Sequence, residues 1–323
     1  MRSLAAAKPC ELLALEYRQQ QRPNYRAEKL RFLGVDGRDV YNVAAPFMDE
    51  GRLVMPARVE PRQIELSEVV FFSDSGDGVW RPLGDVRTFR GLQDPFHTKI
   101  GSELVFGGVE VWTNPFHNYA IEYRTVFYRG RHLQDLKLFA VGPQWMKDIR
   151  LVELADGRVG VFTRPNGKFY GGQAQIGWTV LSSLDELSPE SILKAELLPD
   201  RFSPGEWGGV NEAHLLDPNT VGVIGHIAHR TADGMLHYKA MTFTLRLQEE
   251  VVTPVRVIAE RSDFLPGDAK RPELQDVVFS GGLTRYRDGM THLYAGVSDA
   301  EAQRILIPDP FFTESSILEH IEV

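Results

Sequence analysis

A short pattern recurs five times along this chain: a polar residue, an apolar run, a tight turn and a second apolar run. Its clearest copy is LQDPFHTKIGSELVFGGVEVW at residues 92–112, where Asp94 precedes the first run and Gly101-Ser102 forms the turn. Two apolar runs joined by a short turn are typical of a β-hairpin. The five opening residues are Asn42, Asp94, Asp148, Glu212 and Asp276, and the turns are Glu50-Gly51, Gly101-Ser102, Asp156-Gly157, Asp217-Pro218-Asn219 and Asp288-Gly289.

The spacing of the five copies predicts the fold. The opening residues lie 52, 54, 64 and 64 positions apart, and a repeat of roughly 40 to 60 residues with several strands per repeat is typical of a β-propeller. We therefore predict an all-β protein, a single five-bladed β-propeller domain over residues 1–323 with a short N-terminal helix. The predicted blades span approximately residues 25–84, 86–138, 139–197, 198–257 and 258–307.

Both ends of the chain are predicted to belong to this ring. Residues 3–21 have helical apolar periodicity, and such a helix would cap the outside or rim of the propeller or, alternatively, form a lid over its pocket. An N-terminal segment would complete the outer strand of the fifth blade and so close the ring. Residues 308–323 would form a final strand or a short helix.

Composition limits the classes of partner. Of the 323 residues, 43% are hydrophobic and 25% are charged, and the formal net charge is −8. Lys and Arg are scattered, so the chain has no basic footprint for nucleic acid or an anionic membrane, and no run approaches the ~20 apolar residues of a membrane span. The single cysteine, Cys10, excludes internal disulfides and fits a reducing compartment. We expect a cytoplasmic protein without a cofactor or metal.

A propeller would bring the opening residues together, because the inner strands of all blades begin at one end of the channel. Breaking a glycosidic bond needs one carboxyl group that protonates the leaving oxygen and a second group that activates water or attacks the anomeric carbon. Asp94, Asp148 and Glu212 supply such a set. Crowding raises at least one carboxyl pKa, although Lys147 and Arg150 oppose this at Asp148. Alternatively, each acid is only a turn or cap residue.

The order Asp, Asp, Glu at successive hairpins resembles the five-bladed furanosidase-type glycosidases of families 32, 43 and 68. In those families the first Asp is the base or nucleophile, the second tunes a pKa or stabilises the transition state, and the Glu is the acid. The resemblance implies these roles, in the same order, for Asp94, Asp148 and Glu212.

Two other stretches resemble the family 130 β-mannoside phosphorylases and hydrolases. QDPF at residues 93–96 resembles their EDPR element, and DVVFSGGL at 276–283, followed by HLYAGVSDA, resembles their DVVFPTGL and YYGAAD elements. This resemblance implies that Asp94 is the proton donor instead, although Phe96 stands where that family has Arg. Over residues 25–307 the chain resembles the uncharacterised five-bladed group called domain of unknown function 1861. The stretches that carry this resemblance are KDIRLVEL, VFTRPNGK, WGGVNEAHLL and VIGHIAH.

Eight further residues are predicted to bind substrate or a second ligand. Basic side chains beside the pocket could hold inorganic phosphate through charge-assisted hydrogen bonds, or they could form structural ion pairs. Trp207 is the preferred aromatic side chain for stacking on a sugar ring. The histidines of the GHIAH stretch, His226 and His229, are interpreted as satisfied polar residues rather than metal ligands. The eight residues are Asn42, Arg150, Arg164, Lys168, Trp207, Asn211, His226 and Asp276.

These observations predict a glycoside hydrolase or phosphorylase that acts on a small soluble saccharide in the central cleft. Asp94 and Glu212 would be the acid and base, with Asp148 and Asp276 as tuning or substrate-holding groups. Hydrolysis is favoured over phosphorolysis because the basic set is incomplete in the sequence, and inorganic phosphate stays open as a second ligand. The alternatives are a non-catalytic propeller that binds a carbohydrate or a protein, and an arabinan- or fructan-type enzyme.

Overall fold

The chain folds mainly into antiparallel β-hairpins in the computed structural model, which describes residues 1–20, 25–117, 120–171 and 173–312 without the side chains of His117 and Lys168. All five predicted turns lie between paired antiparallel strands. At one of them Glu50 and Gly51 have φ values of 46° and 77°, as a two-residue hairpin turn requires. The mostly β architecture agrees with the predicted all-β class.

The N-terminal segment contains β1 (Arg2–Ser3), α1 (Cys10–Gln19) and β2 (Arg26–Lys29). The helix is shorter than the predicted segment 3–21, because Pro9 stands immediately before its first turn and the residues ahead of it include an extended strand. Its buried side chains are Cys10, Leu13, Ala14 and Tyr17. Cys10, Leu13 and Tyr17 belong to an apolar cluster shared with the third and fourth strand groups described below, so α1 packs on the β structure as a cap.

The remaining strands form five consecutive groups. The first contains β3 (Arg31–Phe32), β4 (Asp39–Tyr41), β5 (Phe47–Asp49), β6 (Arg52–Glu60), β7 (Glu68–Asp74), β8 (Val79–Pro82) and β9 (Phe89–Arg90). The second contains β10 (Leu92–Ile100), β11 (Glu103–Asn114), β12 (Ala120–Gly130) and β13 (Lys137–Val141). The third contains β14 (Arg150–Glu153), β15 (Val159–Thr163), β16 (Gly177–Leu181) and β17 (Glu196–Leu197).

The last two groups are joined to each other and take in the N-terminal strands. The fourth contains β18 (Trp207–Asp217), β19 (Thr220–Arg230), β20 (Leu236–Arg246), β21 (Val251–Val252) and β22 (Arg256–Ala259), and the fifth contains β23 (Asp276–Arg285), β24 (Met290–Val297) and β25 (Glu301–Pro308). Strand β1 pairs with β21, and β2 pairs with β25. The predicted completion of the fifth group by an N-terminal segment is therefore confirmed. Of the predicted C-terminal element, residues 313–323 lie outside the described residues.

Helical structure elsewhere is limited to single turns. These are α2 (Gly167–Tyr170), α3 (Pro189–Ile192) and the 3₁₀ turns Pro115–His117, Leu133–Asp135, Leu184–Glu186, Arg261–Asp263 and Pro272–Leu274. None of the helices in the described part of the chain combines the length and apolar character that crossing a bilayer would require.

Packing between the strand groups is cyclic. Five apolar clusters hold the core, and each is shared by two neighbouring groups; the cluster of Phe96, Phe127, Ile149 and Val161, for example, joins the second group to the third. Another cluster, which contains Tyr294, joins the fifth group back to the first. The first strands of successive groups also lie against one another, as β10 does with β14 and β14 with β18. The beginnings of these inner strands therefore meet around a common centre.

Bulges in three inner strands interrupt the regular alternation of side chains between the two faces of the sheet. They fall at Asp94-Pro95 in β10, at Asn211 in β18 and at Gly281 in β23. In the fourth hairpin the bulge is thus one residue before the predicted Glu212. In the fifth it is five residues after the predicted Asp276, which instead forms the first residue of β23.

Candidate active site

The first three opening residues share an unusual backbone conformation. Asn42, Asp94 and Asp148 have φ values of 45°, 49° and 57°, in the left-handed region that Asn and Asp tolerate better than other residues with a Cβ atom. All three side chains are buried. The recurring polar residue in the sequence is therefore explained by a backbone requirement at the place where each inner strand begins.

Asp94 is held by two donors from the first strand group. Its Oδ1 accepts a hydrogen bond of 2.8 Å from Asn42 Nδ2 and lies 3.2 Å from an Nη1 donor of Arg58. The same guanidinium binds Glu60 through Nε and Nη2, at 3.1 and 2.9 Å. The other carboxylate oxygen, Oδ2, has no hydrogen-bond partner among the described residues. Asp94 is thus fixed in orientation and keeps one oxygen free for a ligand.

Glu60 fixes the position of Arg58, the residue that contacts Asp94. It accepts hydrogen bonds from Tyr41, Ser67 and Lys270 as well as Arg58. Burial opposes its ionisation, but Arg58 and then Lys270 outweigh burial and hold the pKa of Glu60 below its usual value. Arg58 is therefore locked between two carboxylates and has little freedom to leave Asp94.

Asp148 has a different environment, with cations and without hydrogen bonds. Its side chain is 1% exposed, and neither carboxylate oxygen has a hydrogen-bond partner in the described part of the chain. Arg164 Nη1 lies 3.4 Å from Oδ2. Burial would raise the pKa of Asp148, but Arg164, Lys147 and Arg150 overcome it and lower the pKa to about 2. Arg164 is therefore the cation nearest to this ionised carboxylate, and Lys147 and Arg150 add to its effect.

The two arginines are held in place by backbone carbonyl groups of the fourth strand group. Arg150 Nε donates to Asn211 O at 2.8 Å, and its guanidinium lies 4.3 Å from the centre of the Phe96 ring. Arg164 Nε donates to Gly208 O at 2.6 Å. These bonds use only part of each guanidinium, so both arginines retain N–H groups that can bind an anion.

Gly209 makes the convergence of these side chains possible. A Cβ atom at this position would lie 3.0 Å from Arg164 Cδ and 3.1 Å from both Asp148 Oδ2 and His226 Cε1. Those distances are shorter than ordinary van der Waals contacts, so any larger residue would push the three groups apart. The GG of the WGGVNEA stretch is therefore a packing requirement of the site.

Asn211 and His226 form the wall next to Asp148. Asn211 Oδ1 lies 2.9 Å from His226 Nδ1 and 3.0 Å from Ser280 Oγ, while Asn211 Nδ2 is buried without a partner among the described residues. Burial lowers the pKa of His226 to about 3 despite the opposing effect of Asp148, so the imidazole is neutral. A buried amide donor without a partner in the described part of the chain is available to bind a polar ligand.

Trp207 is connected to His226 through Tyr238. Its Nε1 donates to the Tyr238 hydroxyl at 3.1 Å, and the Tyr238 ring stacks on His226 with centroids 5.4 Å apart. The structure thus brings the predicted residues Asn42, Asp94, Asp148, Arg150, Arg164, Trp207, Asn211 and His226 into one connected region. The side chain of Lys168 lies outside the described residues.

Glu212 lies in a separate hydrogen-bonded cluster. Its Oε2 is 2.7 Å from His214 Nε2 and accepts a 2.8 Å hydrogen bond from Leu283 N. Burial raises the pKa of Glu212, but His214, these hydrogen bonds and His97 lower it overall. Because Asn211 occupies the bulge, Glu212 takes the next position along the strand, among groups other than those that act on Asp148.

Asp276 also has partners of its own. Its Oδ2 lies 2.6 Å from His237 Nδ1 and 3.3 Å from Lys239 Nζ, and its side chain is 30% exposed. Two sets of His and carboxylate groups have metal-ligand spacing among the described residues, and neither includes Asp94 or Asp148.

Asp299 is a residue of the site that the sequence interpretation did not single out. It lies in the turn between β24 and β25 with a φ of 51°, next to Ser298 with a φ of 54°. Burial raises the pKa of Asp299, and the charge of Asp94 adds to this against the effect of Arg58. The sequence signal for it is the Asp of the HLYAGVSDA stretch, which resembles the YYGAAD element of family 130.

Gly296 supports the Asp94 side of the site. A Cβ atom there would lie 2.0 Å from Asn42 Oδ1 and 2.6 Å from the Asn42 backbone nitrogen. The Asn42 side chain therefore lies against the bare Cα of Gly296, which lets its Nδ2 reach Asp94.

Comparison with known proteins identifies the family. The model of a family described as "Protein of unknown function (DUF1861)" matches residues 16–313, and the chain belongs to this family. No curated protein matches the chain. The predicted resemblance to the DUF1861 group is thus confirmed.

Solved structures of carbohydrate-active enzymes are similar to this chain. MPT-4, a mannose phosphorylase from Leishmania mexicana in complex with phosphate ion, is 37% identical with a TM-score of 0.85, and the match covers 93% of each chain. MPT-1, a GDP-Man-dependent mannosyltransferase from the same organism, is 31% identical with a TM-score of 0.85 over 94% of this chain and 96% of that one. The β-1,2-mannobiose phosphorylase of Listeria innocua is 15% identical with a TM-score of 0.63 over 94% and 95%, and it shares the fold.

These neighbours support a carbohydrate-processing enzyme with a propeller-like fold. They do not support the predicted preference for hydrolysis over phosphorolysis, because MPT-4, at 37% identity, is a mannose phosphorylase. The number of blades stays a prediction.

Proposed function

We propose that this member of the DUF1861 family is a glycoside phosphorylase that acts on a small mannoside at the centre of a single five-bladed propeller. One observation carries the proposal: Lys147, Arg150 and Arg164 all act on Asp148, and Lys147 and Arg150 also act on Asp94, so three cations share two carboxylates. A buried excess of cationic donors is suited to a phosphate dianion. The likeness to a mannose phosphorylase in complex with phosphate supports this ligand and this sugar.

In the proposed reaction, phosphate replaces the water of a hydrolase. A phosphate oxygen forms a bond to the anomeric carbon while the bond from that carbon to the glycosidic oxygen breaks. Asp94 gives its proton to the leaving oxygen, and the resulting carboxylate is reprotonated from solvent. The products are a mannose 1-phosphate and the shortened saccharide. Because this is a single displacement, it inverts the configuration at the anomeric carbon.

The proposed roles of the carboxylates follow from their environments. Asp148 has a pKa of about 2 and stays ionised, so it is assigned to hold sugar hydroxyls and stabilise positive charge on the sugar ring in the transition state. The lowered pKa of Glu212 makes it a poor proton donor at neutral pH. We therefore assign the acid role to Asp94, with Asn42 and Arg58 as positioning residues. Asp299, whose pKa is raised, is assigned to hold a sugar hydroxyl.

The neutral and cationic groups are assigned to the ligands. Arg150, Arg164 and Lys168 are proposed to bind phosphate together with Lys147. Asn211 Nδ2 and His226 are proposed to bind phosphate or a sugar hydroxyl, and Trp207 to stack on the sugar ring. Asp276 is left out of the chemistry because its carboxylate is occupied by His237 and Lys239.

The proposal is tested by incubating the purified protein with a panel of β-linked mannobioses with and without inorganic phosphate. Sugar 1-phosphate and free mannose are measured separately. Sugar phosphate that forms only when phosphate is present is the expected result. Phosphate-independent release of mannose would show a hydrolase, and stabilisation by saccharide without any product would show a binding module.

A second candidate is transfer of mannose from a nucleotide sugar. The observation that favours it is the likeness to the GDP-Man-dependent mannosyltransferase, and the same cationic set could hold a diphosphate. Replacing phosphate by GDP-Man in the assay separates the two: release of GDP with growth of the saccharide would favour transfer.

A further inference from the structure

Three metal-ligating side chains meet where α1 packs on the fourth strand group. They are Glu11 of α1, His229 of β19 and His237 of β20, and the ligand atoms that they offer all lie within 4.8 Å of one another. His229 Nε2 is 3.2 Å from Glu11 Oε1. The cluster lies apart from Asp94 and Asp148, and no step of the proposed reaction uses it.

The register of two paired strands places His229 and His237 next to each other. His229 and His237 are direct partners in the antiparallel pairing of β19 and β20, so their side chains leave the same face of the sheet. Their rings stack with centroids 4.8 Å apart and an interplanar angle of 11°. Glu11 reaches them from the first turn of α1, so the third ligand comes from a different element.

Asp276 orients one of these imidazoles as a metal ligand requires. Its Oδ2 lies 2.6 Å from His237 Nδ1. A carboxylate at this nitrogen fixes the proton there and leaves the lone pair on Nε2, which is the usual arrangement behind a metal-bound histidine. Lys239 is also near Asp276, at 3.3 Å, but it lies 3.7 Å from Glu260 as well, so its charge is compensated.

His229 turns one ring nitrogen toward Glu11. Its Nε2 lies 3.2 Å from Glu11 Oε1 and is the atom placed to bind an ion, whereas its Nδ1 is buried without a partner among the described residues. The Glu11 side chain is 59% exposed, whereas that of His229 is 14% exposed. Glu11 therefore offers both an open route from solvent and the freedom to move toward an ion, while the two histidines are held by the sheet.

We propose that Glu11, His229 and His237 bind one divalent transition-metal ion of the Zn²⁺ type, with Asp276 as the carboxylate behind His237. Two imidazole nitrogens and one carboxylate oxygen suit Zn²⁺ and Co²⁺ and are unsuited to Mg²⁺ and Ca²⁺, which take oxygen ligands. The fourth position faces solvent and is left for water. The ligand atoms lie within 4.8 Å of one another, against roughly 3.3 Å in a tetrahedral zinc site. Binding an ion would therefore draw Glu11 inward and tilt the two stacked imidazole rings toward each other.

An ion here would fasten α1 to the strand that carries an active-site side chain. Along β20, His237 faces the α1 side, whereas its neighbour Tyr238 bonds to Trp207 and stacks on His226. The helix has other anchors, since Cys10 N donates to Glu206 at 2.7 Å and Tyr17 Oη donates to Asp263 at 2.7 Å. Because these contacts hold α1 on the β structure without a metal, metal-free protein is expected to be folded.

The test is a titration of chelator-treated, full-length protein with Co²⁺, followed by its visible absorption, and with Zn²⁺ by calorimetry. One ion per chain with the absorption of a four- or five-coordinate site is expected. Glu11→Gln and His237→Gln should each weaken binding at least about tenfold, and Asp276→Asn about 10- to 100-fold. Mg²⁺ should give no signal at the same concentrations.

His132→Gln is the matched control, because His132 belongs to the other described set with metal-ligand spacing, Asp49, Glu50 and His132. It should retain Co²⁺ binding. Glu11 is exposed, so Glu11→Gln should keep the thermal stability of metal-free wild-type protein and remain informative even where a histidine variant does not fold. Absence of Co²⁺ binding, binding unchanged in Glu11→Gln, or loss of binding in His132→Gln would each overturn the proposal.

Discussion

Asp148 and Glu212 were predicted from the same sequence pattern, yet the structure gives them opposite environments. The pKa of Asp148 is lowered by Arg164, Lys147 and Arg150, and its oxygens have no hydrogen-bond partner among the described residues. Glu212 is satisfied by His214 and a backbone N–H. Both are ionised, since the pKa of each is lowered. The difference indicates that the Asp148 carboxylate depends on groups that bear charge without bonding to it, whereas one oxygen of Glu212 already has two partners in the chain.

The largest effect should come from Asp94→Asn, which keeps the shape of the side chain but removes its proton. We expect kcat for phosphorolysis to fall by about 10² to 10⁴, the usual contribution of a general acid. Thermal unfolding should change little, because Asn can still accept from Asn42 and Arg58. Asp156→Asn, in an exposed turn, is the control. Wild-type turnover in Asp94→Asn would contradict the acid assignment.

Arg164→Gln tests whether the cations around Asp148 serve phosphate. Loss of a hydrogen bond to a charged group costs about 1.5–3 kcal/mol, so the KM for phosphate should rise roughly 10- to 100-fold while the KM for the saccharide changes much less. Arg158→Gln removes an exposed arginine of the same hairpin and is the matched control. An equal rise in both KM values would mean that Arg164 holds the site together rather than binding phosphate.

The pH dependence of stability should report the ionised state of Asp148. Its pKa is about 2 in the folded protein against an ordinary value of 3.8. The resulting stabilisation, about 2 kcal/mol, is present above pH ~4 and is lost as the pH falls toward 2. Asp148→Asn should therefore flatten the free energy of unfolding over that interval in chemical denaturation. The same steep decline in Asp148→Asn as in the wild type would show that other carboxylates are responsible.

Glu212→Gln should have the smallest effect on turnover. Gln keeps an acceptor for the Leu283 backbone N–H, so we expect a loss of about 1 kcal/mol in stability from the weakened His214 contact and a fall in kcat of less than about tenfold. His214→Gln should give a similar change if the pair acts as a unit. A loss of kcat as large as that of Asp94→Asn would remove the distinction between the two regions and restore Glu212 as a catalytic residue.

The sequence was informative wherever a local rule fixed the backbone. The five turns followed from turn-forming residues, and Asn42, Asp94 and Asp148 were found as the polar residue that opens each hairpin. The structure then showed that each has the left-handed backbone that few other residues with a side chain tolerate. The extent of α1 was less well predicted, since the apolar periodicity of residues 3–21 did not reveal that the chain ahead of Pro9 includes a strand paired with β21.

Register was the main property that could not be derived from local patterns. The bulges in β18 and β23 fall on Asn211 and Gly281, and their positions depend on hydrogen bonds to the neighbouring strand rather than on the residues themselves. A difference of one residue moved Glu212 out of the group around Asp148. Asp299 was missed for a related reason: its turn is far away in the sequence and reaches Asp94 only when the fifth strand group packs on the first.

By itself, the sequence determined the strand and turn pattern, the supply of carboxylates and cations, and the three residues with a left-handed backbone, because each of these depends on interactions within a few residues. Only the tertiary structure decided which charges share a pocket. Cyclic packing of the strand groups brings Arg58, Asp299 and the cations around Asp148 to the beginnings of the inner strands. Whether a buried carboxylate meets a hydrogen-bond donor or an excess of positive charge is therefore set by contacts between groups that are distant in the chain.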